Sequence, residues 1–247
     1  MPSRLPAPAG LLIDRDKPLS FRFEGERVEG FAGDTVASAL VASGRRTISR
    51  SFKYHRPRGV MSMSGLDANT LVQSGNSPNR FAERIVAEDG LNVRAQNKWG
   101  SLEKDRLAVL GKLGRFMPVG FYYKAFYKPR WSWPLWARLI RNVAGLGVLN
   151  PKTPHGYYDK EYLFHDVVVV GAGVAGLSAA LEAAEAGANV LVVDEDQVAG
   201  GALAWGRSDG SGTDAAARRE SLLERVGRHG NIRVMTEAAV IGWYTDN

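Results

Sequence analysis

Apolar and polar positions alternate early in the chain. Leu19, Phe21 and Phe23 face one way between polar residues, Glu24-Gly25 offers a turn, and Val28 and Phe31 resume the pattern, which predicts a hairpin. Asp34-Thr35 then precedes Val36, Ala39 and Leu40 at helical spacing with Gly44 beyond them, a capped helix from Val36 to Ser43. Leu71 and Val72 mark a further strand, and the segment from Arg80 to Ala87 closes the unit. Strand, strand, helix is the opening order of a small α+β domain of the β-grasp type. Residues 1–18 hold four of the eleven prolines with little periodicity and read as an extended arm.

A different texture follows between residues 98 and 149. Phe116, Phe121, Tyr122, Tyr123, Phe126, Tyr127, Trp131, Trp133 and Trp136 interleave with Lys124, Lys128, Arg130, Arg138 and Arg141. Aromatics beside cations can stack single-stranded bases or sit at a membrane interface. Pro118, Pro129 and Pro134 interrupt any long platform helix, so the stretch reads as a connector or subunit interface anchored by large rings.

The pattern changes again at residue 165. Val167–Val170 is a β-branched run suited to a buried parallel strand, and it leads directly into Gly171-Ala172-Gly173-Val174-Ala175-Gly176. An Ala-rich helix runs to Ala186, Gly187 ends it, and Val190–Val193 forms a second buried strand that delivers Asp194, Glu195 and Asp196. In this context Gly171 allows the tight turn, Gly173 lets the backbone approach a pyrophosphate, and Gly176 lets helix and strand pack closely. Helix amides and dipole receive the diphosphate, and Asp194 accepts hydrogen bonds from the adenosine ribose. Three carboxylates without a nearby Arg disfavour a 2′-phosphate, leaving NAD or FAD. Gly200 and Gly201, with Ala202 after them, read as a second approach of backbone to ligand. A helix over about Ala215 to His229 leads to a third strand from Asn231 to Thr236, and Ala239 and Val240 lie just beyond. A doubly wound sheet has a second half, so Asn247 reads as a truncation.

Charge divides at the same place. Residues 1–160 carry 26 Lys and Arg against 13 Asp and Glu, whereas residues 161–247 carry 6 against 13. Such a step marks a domain boundary, and the basic part calls for an anionic ligand or an acidic partner. Arg45, Arg46, Arg50, Lys53, Arg56 and Arg58 form an acid-free cluster, read as a solvated basic loop or a docking surface. The 247 residues contain no cysteine, which removes disulfides, thiolate metal sites and cysteine nucleophiles from this chain. The longest apolar run, Val167 to Leu181, falls short of the roughly 20 residues of a membrane span, and the N-terminus carries no secretory pattern, so a cytoplasmic location is expected. None of the four histidines has a partner nearby in sequence, and no paired carboxylates or nucleophile elbow appear; no catalytic residue is assigned.

Longer motifs carry a family resemblance. RSFKYHRPRG at 50–59, GFYYKAF at 120–126, IRNVAGLG at 140–147 and VVVVGAGVAGLSAALEAAEAGANVLVVDE at 167–195 together resemble the N-terminal part of the α subunit of heterotetrameric sarcosine oxidases. The resemblance implies an N-terminal arm (1–16), a ferredoxin-like β-grasp domain (17–95), an aromatic and basic connector (96–162) and the first half of a Rossmann dinucleotide domain (163–247). Where such relatives keep a cluster, cysteines follow the basic segment; here Val60-Met61-Ser62-Met63-Ser64-Gly65 stands there, so the expectation is a β-grasp domain with no iron–sulfur cluster. The implied cofactor of this chain is NAD, contacted by Ala175, Asp194, Glu195, Asp196, Ala202 and Val240 as well as the glycines, with FAD as the alternative occupant. FMN, FAD and tetrahydrofolate are expected elsewhere in a complex with β, γ and δ subunits, which oxidises sarcosine to glycine with hydrogen peroxide formation. Neither nucleic acid nor a membrane is expected as partner. Two other functions fit the same residues: an FAD-binding subunit of an opine or amino-acid dehydrogenase complex, and a non-catalytic fragment acting as a binding module.

Overall fold

The computed structural model describes residues 4–6, 10–62, 68–117, 119–120, 124, 126, 128–153, 156–204 and 214–244. The expectations resting on Met63, Ser64, Gly65, Pro118, Phe121, Tyr122, Tyr123, Tyr127 and His155 lie outside the described residues. The chain forms two compact units, one built on Leu12–His155 with Met1–Leu5, the other on Gly156–Asn247 with Pro6–Leu11. No helix among the described residues is long and apolar enough to cross a membrane.

The first unit opens with the expected hairpin, β1 (Asp14–Phe23) and β2 (Glu26–Ala32). Glu24 and Gly25 both have positive φ, 55° and 84°, as a two-residue turn matched to strand twist requires. Glu24 is held there because its carboxylate accepts from the Ala95 amide at 2.7 Å and pairs with Lys98 at 2.6 Å. β1 begins within the stretch read as an arm: its register shifts between Asp14 and Pro18, where the ring removes a ladder donor. Helix α1 (Val36–Ala42) starts at Thr35, whose hydroxyl accepts from the Ser38 amide while Ser38 Oγ accepts from the Thr35 amide, a reciprocal cap.

After two short strands, β3 (Ser49–Arg50) and β4 (Pro57–Arg58), come β5 (Leu71–Ser74), β6 (Ser77–Phe81) and β7 (Asn92–Ala95). The main sheet has the order β2-β1-β7-β5-β6, with β7 parallel to β1 and the other pairs antiparallel. Strand β7, which the sequence pattern did not mark, is the central one. Its four residues alternate outward Asn92 and Arg94 with buried Val93 and Ala95, too short a run to stand out. Phe21, Phe23, Leu40, Val72 and Val93 fill the core.

Two buried polar clusters fasten this unit. Asp34, fully buried, accepts from Arg4 Nη1 at 2.8 Å and Nη2 at 2.6 Å, from the Phe31 amide at 2.9 Å and from Ser38 Oγ at 2.6 Å. Arg4 therefore clamps the N-terminal segment by a bidentate pair. Arg4→Ala is expected to destabilise the unit by about 3 kcal/mol, because a buried carboxylate loses its counter-charge; urea unfolding measures this.

The second cluster joins residues far apart in sequence. His55, at φ 52° and fully buried, places Nδ1 2.6 Å from Asp105 Oδ2 and Nε2 3.1 Å from the Val143 carbonyl. Arg50 donates to the carbonyls of Leu102 (2.8 Å), His55 (3.1 Å) and Glu103 (2.9 Å). Much of the basic cluster is thus absorbed by the unit itself: Arg45 pairs with Glu26, Lys53 donates to the Met117 carbonyl, and Arg56 lies over the Tyr54 ring. The reading of these cations as one solvated loop is corrected for Arg50, which is buried, because backbone carbonyls accept four hydrogen bonds from its guanidinium. Val143 belongs to helix α2 (Trp133–Ala144), which ends at Gly145 with φ 63°. A Cβ at Gly145 would meet Asn97 Oδ1 at 2.2 Å, so the helix terminus is seated closely.

The second unit runs β8 (Val167–Val170), α3 (Val174–Glu185), β9 (Val190–Val193), α4 (Ala215–Gly227) and β10 (Ile232–Met235). Its strands are parallel in the order β10-β9-β8. That is one mononucleotide half of a doubly wound sheet. Ala180, Leu181, Val190, Val192, Leu222 and Val226 form its core.

Candidate functional site

The carboxyl ends of the three parallel strands meet at the glycine turn, where open α/β sheets bind ligands. The Gly171 amide donates to the Val193 carbonyl at 2.8 Å, and its φ of 99° reverses the chain away from β8. Helix α3 begins after Gly173, which offers no side chain to cap the first-turn amides, so these point outward as an anion-binding end. The glycines differ in what they make room for. A Cβ on Gly173 would meet nothing within 4 Å, whereas one on Gly176 would fall 1.9 Å from the Gly171 carbonyl oxygen and 3.2 Å from Val169 Cγ1. Gly176 thus serves the fold, and Gly173 keeps empty space beside the amides. Gly176→Ala should lower the stability of this unit by about 3 kcal/mol, the upper range for overpacking against atoms that cannot yield; thermal unfolding checks it.

The acidic tip of β9 turns toward this opening. Asp194 Oδ2 accepts from the Ala172 amide within the turn, and Oδ1 accepts from the Asp196 amide at 2.7 Å. A carboxylate has about four acceptor positions, so two backbone donors leave room for a hydroxyl. Glu195 is exposed and Asp196 half-buried. The segment after β10 is knitted to the same tip, with the Ala238 amide on the Asp194 carbonyl at 2.9 Å and the Glu237 amide on that of Asp196 at 3.0 Å. Val240, half-exposed, follows two residues later.

Gly200 and Gly201 close the other side. The Gly200 amide donates to the Ala172 carbonyl at 2.8 Å, and a Cβ on Gly201 would lie 3.0 Å from Gly173 Cα. These glycines therefore let two loops touch. Ala175 and Ala202 are exposed beside them. Arg219 of α4, which the sequence reading did not bring here, lies against Gly200 and donates Nε to the Ala199 carbonyl at 2.7 Å. Its nineteen-residue separation from Gly200 gives no sequence signal, because only the return of α4 to the sheet brings the two together.

Among the described residues no group of three or more His, Asp or Glu is placed to hold a metal ion. His55 is engaged with Asp105 inside the first unit, and the described histidines do not converge on the glycine turn.

Comparison with known proteins shows what the two units resemble. Residues 16–98 match a family described as 2Fe-2S iron-sulfur cluster binding domain, and residues 166–231 match one described as FAD binding domain. The chain is 41% identical over 244 residues to sarcosine oxidase subunit alpha of Rhizobium meliloti (strain 1021), covering 96% of this chain and 24% of that one. It is 33% identical over 249 residues to the protein of the same name from Corynebacterium sp. (strain P-1), covering 99% of this chain and 21% of that one. The chain is thus similar to the N-terminal part of these subunits and spans about a quarter of their length. The crystal structure of L-proline dehydrogenase from P. horikoshii superposes at a TM-score of 0.53 with 20% identity, covering 93% of this chain and 35% of that one. That likeness concerns the fold.

These matches overturn the cofactor expectation of NAD with no iron–sulfur cluster: the glycine-turn segment matches a family described as FAD-binding, and the first unit matches one described as binding a 2Fe-2S cluster. Both domains share with their expected counterparts the features that were read, a glycine turn and a β-grasp, which do not by themselves choose the group bound. The donor chemistry differs between the two sites. A [2Fe–2S] cluster is held by cysteine thiolates, which this sequence does not contain, so the residues present do not fit that group. The glycine turn, with open space at Gly173, uncapped amides and an adjoining carboxylate, fits the ADP half of FAD.

Proposed function

We propose that this chain, as the counterpart of the N-terminal quarter of a sarcosine oxidase α subunit, is the FAD-binding region of an oxidoreductase subunit that acts on a sarcosine-like secondary amine within a multi-subunit complex. The observation that carries the reading is the unobstructed Cβ position of Gly173 facing the uncapped start of α3, with Asp194 fixed beside it. The amides of Val174, Ala175 and Gly176 receive the diphosphate, and Ala202 lines its other side. Asp194 takes the adenosine ribose with its free lone pairs while Glu195 and Asp196 keep the locality negative, which disfavours a 2′-phosphate. Val240 lies where the adenine rests. FAD held by these residues would supply a two-electron acceptor for amine oxidation, with molecular oxygen as the final oxidant reduced to hydrogen peroxide and the methyl carbon passing to tetrahydrofolate or leaving as formaldehyde elsewhere in the complex.

Denaturing the purified full-length protein and analysing the released chromophore tests this. Release of FAD, identified by its visible flavin bands and mass, is the expected result. Release of an adenine nucleotide without flavin, or of no chromophore, overturns it.

A further inference from the structure

Between Asp105 and Asp159 the sequence contains nine Lys and Arg and no acidic residue at all. Helix α2 lies in this stretch, and no residue of it is fully buried. One side of the helix is engaged with its own unit: Trp136 packs its ring 4.5 Å from that of Phe126, and the Val143 carbonyl faces His55. The outer side presents Trp131, just before the helix, then Leu135 and Leu139, 80%, 66% and 51% exposed. Their spacing of four residues makes a single i±4 ridge, the form that packs into a groove of a protein partner. Arg138 and Arg141 stand exposed next to it.

We propose that the ridge Trp131–Leu135–Leu139, flanked by Arg138 and Arg141, is the docking surface for a companion subunit whose contact face is acidic around an apolar groove. This rests on the subunit reading above and names the surface. Charge chooses the occupant. A second copy of this chain would bring the same cations face to face across a twofold interface, which like-charge repulsion opposes. A lipid surface takes up a broad apolar face of an amphipathic helix, but here Phe126 and His55 occupy the inner side, leaving a strip one ridge wide. An acidic protein face satisfies both the ridge and the cations. His55 and Asn97 hold the helix terminus in place, so docking meets a preformed surface.

The test uses the full-length chain purified together with its companion subunits. A photoreactive benzophenone side chain at position 139 is expected to crosslink to an acidic segment of a companion subunit, located by mass spectrometry. Leu135→Asp with Leu139→Asp should weaken association about 30-fold, as for a central apolar hot spot. Arg138→Glu with Arg141→Glu should weaken it and reverse its salt dependence. Both pairs are exposed, so melting temperature should stay unchanged.

Crosslinks confined to this chain, to a second copy or to phospholipid overturn the proposal, as does sedimentation with phosphatidylglycerol vesicles that Leu135→Asp abolishes. If companions copurify and both double variants bind them as before, the surface is wrong and the subunit reading stands. If no companion copurifies with the unaltered chain, both fall.

Discussion

Gly173→Val is expected to abolish FAD retention while leaving the melting temperature of the protein close to that of the unaltered chain. At Gly173 the backbone is extended, φ −73° and ψ −178°, which any residue adopts, and an added Cβ meets no protein atom within 4 Å. The fold therefore has no objection to a side chain. The ligand does, because a branched side chain would occupy the space where the diphosphate meets the first-turn amides. Loss of those charge-assisted hydrogen bonds, at roughly 1.5–3 kcal/mol each, removes affinity by at least 10²-fold when two are lost. Flavin content after gel filtration and the thermal transition are read from one preparation. Gly176→Ala is the counterpart, with lost stability and lost flavin together, since its Cβ strikes the Gly171 carbonyl. Flavin retained at full occupancy in Gly173→Val would place the nucleotide elsewhere.

Removing one member of the His55–Asp105 pair should produce the largest loss of stability in the first unit. Both side chains are wholly buried, and both ring nitrogens of His55 lie within hydrogen-bond distance of oxygen atoms, Asp105 Oδ2 at 2.6 Å and the Val143 carbonyl at 3.1 Å. Asp105→Ala leaves His55 Nδ1 without its buried partner and also strips acceptors from the amides of Trp99 (2.9 Å) and Leu107 (3.1 Å), so several buried polar groups go unsatisfied at once. A loss of about 3–5 kcal/mol follows. The exposed pair Arg228–Glu224, 2.6 Å apart, is the comparison: Glu224→Ala should cost about 0.5 kcal/mol, because water screens it. Urea unfolding gives both values. Hydrogen exchange across residues 133–144 should rise in Asp105→Ala, since His55 ties Val143 to the unit; unchanged exchange there would remove the fastening role.

Periodicity revealed elements wherever local residues decided the matter. The β1–β2 hairpin, α1 with its Thr35 cap, and the run from β8 through α3 to β9 each have a pattern long enough, or punctuation sharp enough, to declare themselves. Strand β7 did not, because four residues flanked by turns carry little alternation, and its central place depends on pairing with β1 and β5. The start of β1 was hidden by the proline-rich composition that suggests an arm. In the site, Gly171, Gly173, Gly176 and Asp194 were legible because one turn, one helix end and one strand end hold them within a short stretch. Arg219 was not, nor was the choice of group bound: a glycine turn recognises the ADP portion common to several dinucleotides, and the expectation of NAD was overturned only by the match of residues 166–231 to an FAD-binding family.

The basic cluster makes the same point from the other side. Arg45, Arg50, Lys53 and Arg56 look alike in sequence, yet Arg50 is buried on three carbonyls while Arg56 covers a tyrosine ring. Sequence by itself determined the local conformations, the division of charge and the absence of thiolates, because these depend on residue type and near neighbours. Tertiary structure alone decided which polar groups are buried together, His55 with Asp105 and Arg4 with Asp34. Such partners lie tens of residues apart, and only chain packing sets the distance over which their charges act.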